Sequence, residues 1–342
     1  MELSKRKLEV LSAIVKSDNE TGEPIGSKDL SLLLENSPSS ATLRNEMNAL
    51  CGLGLLSQPH TSAGRTPTSL AYRLYISDLM KPKILQEQTK DFINVQMSEA
   101  GFDTENIPKT AAQTLSRLTG YPAISYSFVD NDVFVKHVKL LPVSRKTAVM
   151  LLVLSDGRTK NSICQLPTGF NADSSIEFTK ILNNSIKGKN LQELTRAYMQ
   201  SVIATAGINA LSLAPLFTTL FAMAQAASQS LIDLHGVSSF YNFLNDEQAR
   251  KIMTLANRET MPNFLNSKNQ DTEIIFGNDT GYGELKDTVI ITSKYYCKDK
   301  FCGNIGIIGP HRMDYEQIIP SVEYISKQIT ALMTNAVDDM ED

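Results

Sequence analysis

Apolar positions in the first eighty residues recur at helical spacing, cut by short polar turns. Leu8, Leu11, Ile14 and Val15 form one stripe, predicting a helix from about Ser4 to Glu20 with Ser4 as its N-cap. The turn TGEPIGS (21–27) ends it, and Ser27 is expected to cap a short second helix through Leu34. Ser39 is placed to cap a third helix to about Cys51, closed by Gly52 and Gly54. Leu55 to Gln58 is strand-like, and residues 59–68 are a loop rich in Pro, Gly, Ser and Thr. Thr68 then caps a fourth helix to about Met80, stopped before Pro82. Three helices, a strand and such a loop follow the winged helix-turn-helix plan, in which the helix after the turn reads DNA.

Residues 83–100 read as a polar, helical connector. From 108 the period changes to two: 124–129, 132–143, 146–157 and 158–167 read as strands, with Asp156-Gly157 as a hairpin turn. Residues 174–265 read as helical. Strands return at 273–277, 285–296 and 301–309, before a last helix over about 314–335 with Ile318, Val322, Ile325, Ile329 and Leu332 on one face. A sheet interrupted by a helical block and then resumed predicts an α+β multidomain chain, in which one α/β domain carries a second domain inserted into it.

The phase of the third helix names candidate DNA contacts. With Leu43, Met47 and Leu50 on its buried face, Arg44, Asn45 and Asn48 point outward, with Ala41 between them and Ser40 at the edge. Arg suits the guanine O6/N7 edge and Asn the adenine N6/N7 edge. Ser39, Ser40 and Thr42 sit at the helix N-terminus, where hydroxyls and free N–H groups suit phosphate. His60, Ser62 and Arg65 follow in the loop that a winged domain lays on the backbone or minor groove, and Pro59, Gly64 and Pro67 shape that loop. Arg73 is placed to reach a phosphate from the next helix.

Charge tempers this picture. The 342 residues carry a net charge of −4, and residues 1–80 hold eight Lys/Arg against nine Asp/Glu. Non-specific phosphate attraction is therefore modest, and binding must rest on a few placed cations, helix N-termini and dimer symmetry. The four scattered cysteines, without a CxxC pair, read as reduced thiols of a cytoplasmic protein. MELSKRKLEVLSAIVK reads as an amphipathic helix, not a secretory leader. The apolar stretch 209–227 carries Asn209, Ser212, Thr218, Thr219, Gln225 and a proline, so it reads as a core or interface helix and no membrane partner is expected.

No enzymatic constellation emerges. His60, His137, His235 and His311 do not converge with a nucleophile or a metal-ligand set. His137 fits a sheet edge, and His311 fits a helix-entry turn held by an Arg312–Asp314 pair. Gly277, Gly281 and Gly283 fit turns, and no P-loop, GxSxG or HExxH motif occurs. No catalytic residue, metal or cofactor is expected.

TGEPIGSKDL (21–30), SSATLRNEM (39–47) and QPHTSAGRTPT (58–68) resemble the family of heat-inducible transcription repressors HrcA. LSRLTGY (115–121), VKHVKLLPV (135–143), SDGR (155–158), FYNFLN (240–245) and IGIIGPHRMDY (305–315) extend the resemblance, in order, over essentially the whole chain. The resemblance implies a winged helix over 1–80, a helical linker over 81–107, a discontinuous GAF-like domain over 108–185 and 270–342, and a mostly helical dimerisation domain inserted at 186–269. It implies a homodimer on an inverted-repeat operator of double-stranded DNA, the CIRCE element, upstream of chaperone operons. It also implies repression relieved by heat stress, with the GroEL chaperonin keeping the repressor active. Pro38, where such repressors more often carry a small apolar residue, and a weakly charged N-terminal domain depart from the family pattern. GAF-like folds often hold small ligands, so a metabolite-sensing transcriptional regulator is the second reading.

Overall fold

The computed structural model describes residues 3–34, 39–60, 63–205, 212–256 and 270–338. The N-terminal unit is built from α1 (Lys5–Thr21), α2 (Ser27–Leu33), α3 (Ser40–Gly52) and α4 (Ser69–Leu74), with a two-stranded ribbon of β1 (Leu56–Ser57) and β2 (Thr66–Pro67). Ser4 caps α1 as the sequence suggests, accepting from the Lys7 N–H, and α1 ends on Gly22 in the left-handed region. The expectation for Ser27 is corrected: it is the first residue of α2, and the cap is Gly26, which offers no side-chain bond. The fourth helix is shorter than expected as a regular α-helix, continuing as a π-helical turn over Tyr75–Leu79.

Two further helices, α5 (Glu87–Ser98) and α6 (Asn106–Thr119), lead into β3 (Ala123–Ser127). Then come β4 (Val135–Pro142), β5 (Thr147–Leu154) and β6 (Thr159–Gln165), followed by α7 (Ala172–Ile186), α8 (Arg196–Thr205), α9 (Ala214–Ala227), β7 (Leu231–His235) and α10 (Asp246–Ala256). The remaining elements are β8 (Thr272–Phe276), β9 (Thr288–Cys297), β10 (Lys300–Pro310) and α11 (Tyr315–Asp338). Among the described residues no helix is long and apolar enough to cross a membrane.

The strands form two larger antiparallel sheets rather than one interrupted sheet. The five-stranded sheet runs β7-β3-β10-β9-β8, and the three-stranded sheet runs β4-β5-β6. Two expectations change with this. The interruption begins at β4, because β4, β5 and β6 pair only among themselves. The region read as mostly helical contains β7, which pairs with β3 from Ala123↔His235 to Ser127↔Leu231. Alternation reports that a segment is extended, not which sheet it joins, and the five residues of LIDLH are too few to stand out between helices.

Three cores result. Val135, Val138, Met150, Leu152 and Leu154 of the smaller sheet pack against Phe178, Leu182, Phe217 and Leu220 of α7 and α9. One face of the larger sheet, with Ile124, Ile290 and Ile308, meets Phe240, Ala249 and Ile252. The other face, with Val289, Ile291, Ile305 and Ile307, meets α6 and α11. That last core does not stop at the sheet: it runs through Tyr315, Tyr75 and Tyr72 into Leu11, Ile14, Leu43 and Leu50 of the N-terminal unit. Helix α3 is thereby joined to the C-terminal body by continuous apolar packing.

Candidate nucleic-acid interface

The phase of α3 is that expected from sequence. Leu43, Met47 and Leu50 are buried, while Ser40, Ala41, Arg44, Asn45 and Asn48 are exposed. The helix begins on Ser39, whose Oγ accepts from the Thr42 N–H at 3.2 Å and lies 3.0 Å from the Thr42 hydroxyl. One orphan donor is thus satisfied inside the protein, and the other first-turn N–H groups remain to meet an anion. Glu46, the acidic residue of this helix, turns to Lys7 at 3.9 Å.

The wing is closed at its base by β1 and β2, with Leu56↔Pro67 and Ser57↔Thr66 in register and the Ser57 and Thr66 hydroxyls 2.9 Å apart. A third extended segment joins it: the Ile25 and Arg65 backbones exchange hydrogen bonds of 3.1 and 2.8 Å. Gly64 permits this approach, since a Cβ there would lie 2.4 Å from the Ile25 carbonyl carbon. Thr68 closes the wing, donating to the Gly54 carbonyl at 2.8 Å while accepting from the Ala71 N–H. His60 is exposed near the tip; Ser62, like Pro38, lies outside the described residues.

Arg65 is half-buried and braced. Its Nη2 donates to Asn48 Oδ1 at 2.8 Å, and its Nη1 to the Ala63 carbonyl at 3.4 Å. Asn48 therefore supports the wing, with part of its acceptor capacity already used, while Arg44 and Asn45 stand on the same face. Spacing along α3 gave no sign of this contact, because its partner comes from the wing.

Arg73 differs more. Its guanidinium lies 4.1 Å from the centroid of Phe276 and forms an ion pair with Asp279, both in the C-terminal body. The structure thus ties Arg73 to the body instead of leaving it to extend toward a phosphate. His311 also stacks against Phe276, at 5.7 Å, and burial lowers its pKa.

Other polar groups reinforce this joint. Glu316 receives Lys16 at 2.9 Å, Lys83 at 3.5 Å and the Tyr75 hydroxyl at 2.7 Å. Burial opposes the charge on Glu316, but the hydrogen bonds from Lys16 and Tyr75 and the two lysine charges outweigh it, holding the carboxyl below its ordinary range. Asp18 accepts from the Tyr72 hydroxyl at 2.6 Å; burial raises its pKa against that bond and the Arg312 charge. The expected Arg312–Asp314 pair is not what holds the turn. Asp314 takes Lys83 at 3.2 Å, and the Arg312 guanidinium reaches back over Gly22 at the end of α1. Partners from both ends of the chain meet here, so local sequence carried no signal of it.

Comparison with known proteins adds a family context. Residues 2–79 match the family model "Winged helix-turn-helix transcription repressor, HrcA DNA-binding", and residues 105–319 match "HrcA protein C terminal domain". The chain is 30% identical to the heat-inducible transcription repressor HrcA of Lachnoclostridium phytofermentans, over 96% of this chain and 97% of that one. It is 28% identical to the protein of the same name from Ruminiclostridium cellulolyticum, over 99% and 100% of the two chains. A crystal structure described as that of a hypothetical protein superposes with a TM-score of 0.75 at 21% identity, covering 98% of this chain and 100% of the other.

Proposed function

The chain belongs to the family of heat-inducible transcription repressors HrcA, and from that premise we propose that it represses chaperone operons as a homodimer on an inverted-repeat operator of the CIRCE type. This is a family of DNA-binding repressors, not of enzymes. The observation that carries the reading is the outward face of α3, where Arg44 and Asn45 stand exposed beside a wing braced through Arg65 and Asn48. Arg44 and Asn45 read base edges, with Ser40 at the edge of the face. Ser39 and Thr42 hold the helix N-terminus on a phosphate, and His60, Ser62 and Arg65 fix the wing on the duplex.

The support for a dimer is an apolar stripe on one sheet face, which also carries His137, Lys139 and Asn161. The side of the three-stranded sheet away from its core carries Leu141, Val149, Leu151, Val153 and Ile163, with Ile163 77% exposed. Burying such a face against a second copy would hold two α3 helices at half-site spacing, matching a palindromic operator. In this reading the smaller sheet with α7–α9 is the inserted dimerisation unit, and the five-stranded sheet is the GAF-like body. The protein acts in the cytoplasm, and the GroEL chaperonin sustains its active form until heat stress diverts it.

Gel-shift titration on the inverted repeat tests the function. Tight binding to the repeat and weak binding to a scrambled duplex of equal length is the expected result; equal affinity for both would sink the repressor reading. Purified GroEL is expected to raise the active fraction in the same titration, and no change would remove the chaperonin from the proposal.

A further inference from the structure

The β9–β10 hairpin carries two thiols that the DNA-binding reading does not use. Cys297 is the last residue of β9, and Cys302 sits at the β-bulge of β10, where the register shifts between Phe301 and Gly303. The bulge sets Cys302 across the hairpin from Cys297, so that both side chains reach the same cavity, and the Cys297 thiol also donates to the Met333 carbonyl at 3.6 Å. Both are half-buried, and both line one cavity of about 50 Å³. Since a water molecule's share of liquid volume is about 30 Å³, that space suits a molecule of water or peroxide size.

Two buried polar residues stand in the otherwise largely apolar wall of this cavity. Arg158, from the turn between β5 and β6, and Thr104, before α6, are both buried and both line it. Arg158 Nη2 and Thr104 Oγ1 have no hydrogen-bond partner among the described residues. Buried polar groups without partners mark a place where a small polar molecule belongs.

We propose that Cys297 and Cys302 form a peroxide-reactive dithiol that closes to a reversible intramolecular disulfide. The two cysteines are not equivalent. The hydrogen bond from Cys302 holds the Cys297 thiol below its usual range, against burial, whereas that same bond and burial push Cys302 up. Cys297 is therefore the attacking sulfur and Cys302 the resolving one. The Cys297 thiolate attacks one peroxide oxygen: an S–O bond forms, the O–O bond breaks, and the departing hydroxide takes up a proton to become water. Cys302 sulfur then attacks the sulfenic sulfur: the S–S bond forms, the S–O bond breaks, and hydroxide leaves with the Cys302 proton as the second water. Two thiols lose two electrons, and one peroxide is reduced to two waters.

The experiment is peroxide titration of the native full-length protein, followed by thiol counting and peptide mapping. The four thiols are expected to fall to two, with a Cys297–Cys302 disulfide in the map and recovery of all four on adding dithiothreitol. In C302S, dimedone is expected to trap a sulfenic acid at Cys297; in C297S, Cys302 is expected to stay unmodified at the same dose. Oxidation of Cys51 or Cys164 ahead of Cys297, or a wild-type map without the 297–302 link, overturns the proposal. The wild-type map alone decides the matter should either variant fold poorly.

Discussion

Arg65 of the wing and Asn48 of the reading helix meet through a 2.8 Å hydrogen bond across seventeen residues of sequence. The wing and α3, the two elements proposed to face DNA, are thus one braced unit. A double-mutant cycle should show it. Arg65→Ala and Asn48→Ala are each expected to weaken operator binding, with a coupling of about 1 kcal/mol between them. Strict additivity would mean that wing and helix act independently.

Arg44 is exposed on the proposed reading face, with no hydrogen bond or ion pair to another side chain among the described residues. Arg44→Ala is expected to relax base preference at one position of each half-site, by about 1–3 kcal/mol. Arg65→Ala should instead lower affinity across sequences. Binding selection from a randomised half-site distinguishes the two outcomes.

Gly64 lies against the Ile25 carbonyl. Gly64→Ala is expected to push the wing off its base, costing about 1–3 kcal/mol of stability from overpacking and lowering operator affinity. Thermal unfolding and gel shift report the two effects separately.

Arg73 spans from the N-terminal unit to Phe276 and Asp279. Arg73→Ala is expected to cost about 0.5–1 kcal/mol of stability, as for a partly exposed cation–π contact. Base preference should stay unchanged while affinity falls. A unit drop in the salt slope of binding would instead return Arg73 to a phosphate.

The Glu316 joint should weaken in acid. Its carboxyl titrates below the ordinary 4.5 in the folded protein, so its stabilising effect is present above about that pH and is lost as pH falls through the folded value. Lys83 works in the opposite direction. The hydrogen bond from its ammonium to Asp314 raises its pKa from 10.5, so its contribution is complete below that value and is lost as pH rises beyond it. Denaturant unfolding of wild type and Glu316→Gln across pH 3–7 measures the first effect: the two curves should converge at the acid end.

Local features of the site were legible, and distant ones were not. The Ser39 cap and the outward set Arg44, Asn45 and Asn48 follow from a 3.6-residue period that the helix obeys. The wing announced itself through Gly64 and Pro67, whose backbone demands are local. By contrast, Arg73 finds Asp279 across 206 residues, and no spacing rule reports such a contact. The split between sheets was hidden for a related reason: β3 pairs with β10 and β7, both distant in sequence, while β4, next to it along the chain, joins the other sheet. Asn48 was legible as an outward position, but its bond to Arg65 was not, because that partner approaches from the wing.

The apolar core that passes from Leu43 and Leu50 through Tyr72 and Tyr315 to Ile307 packs α3 and the body into one hydrophobic unit. Heating therefore cannot melt one and spare the other: calorimetry should record the N-terminal unit and the five-stranded sheet in a single cooperative transition. Under the repressor reading proposed above, a change that loosens the body is expected to lower operator affinity together with the melting temperature.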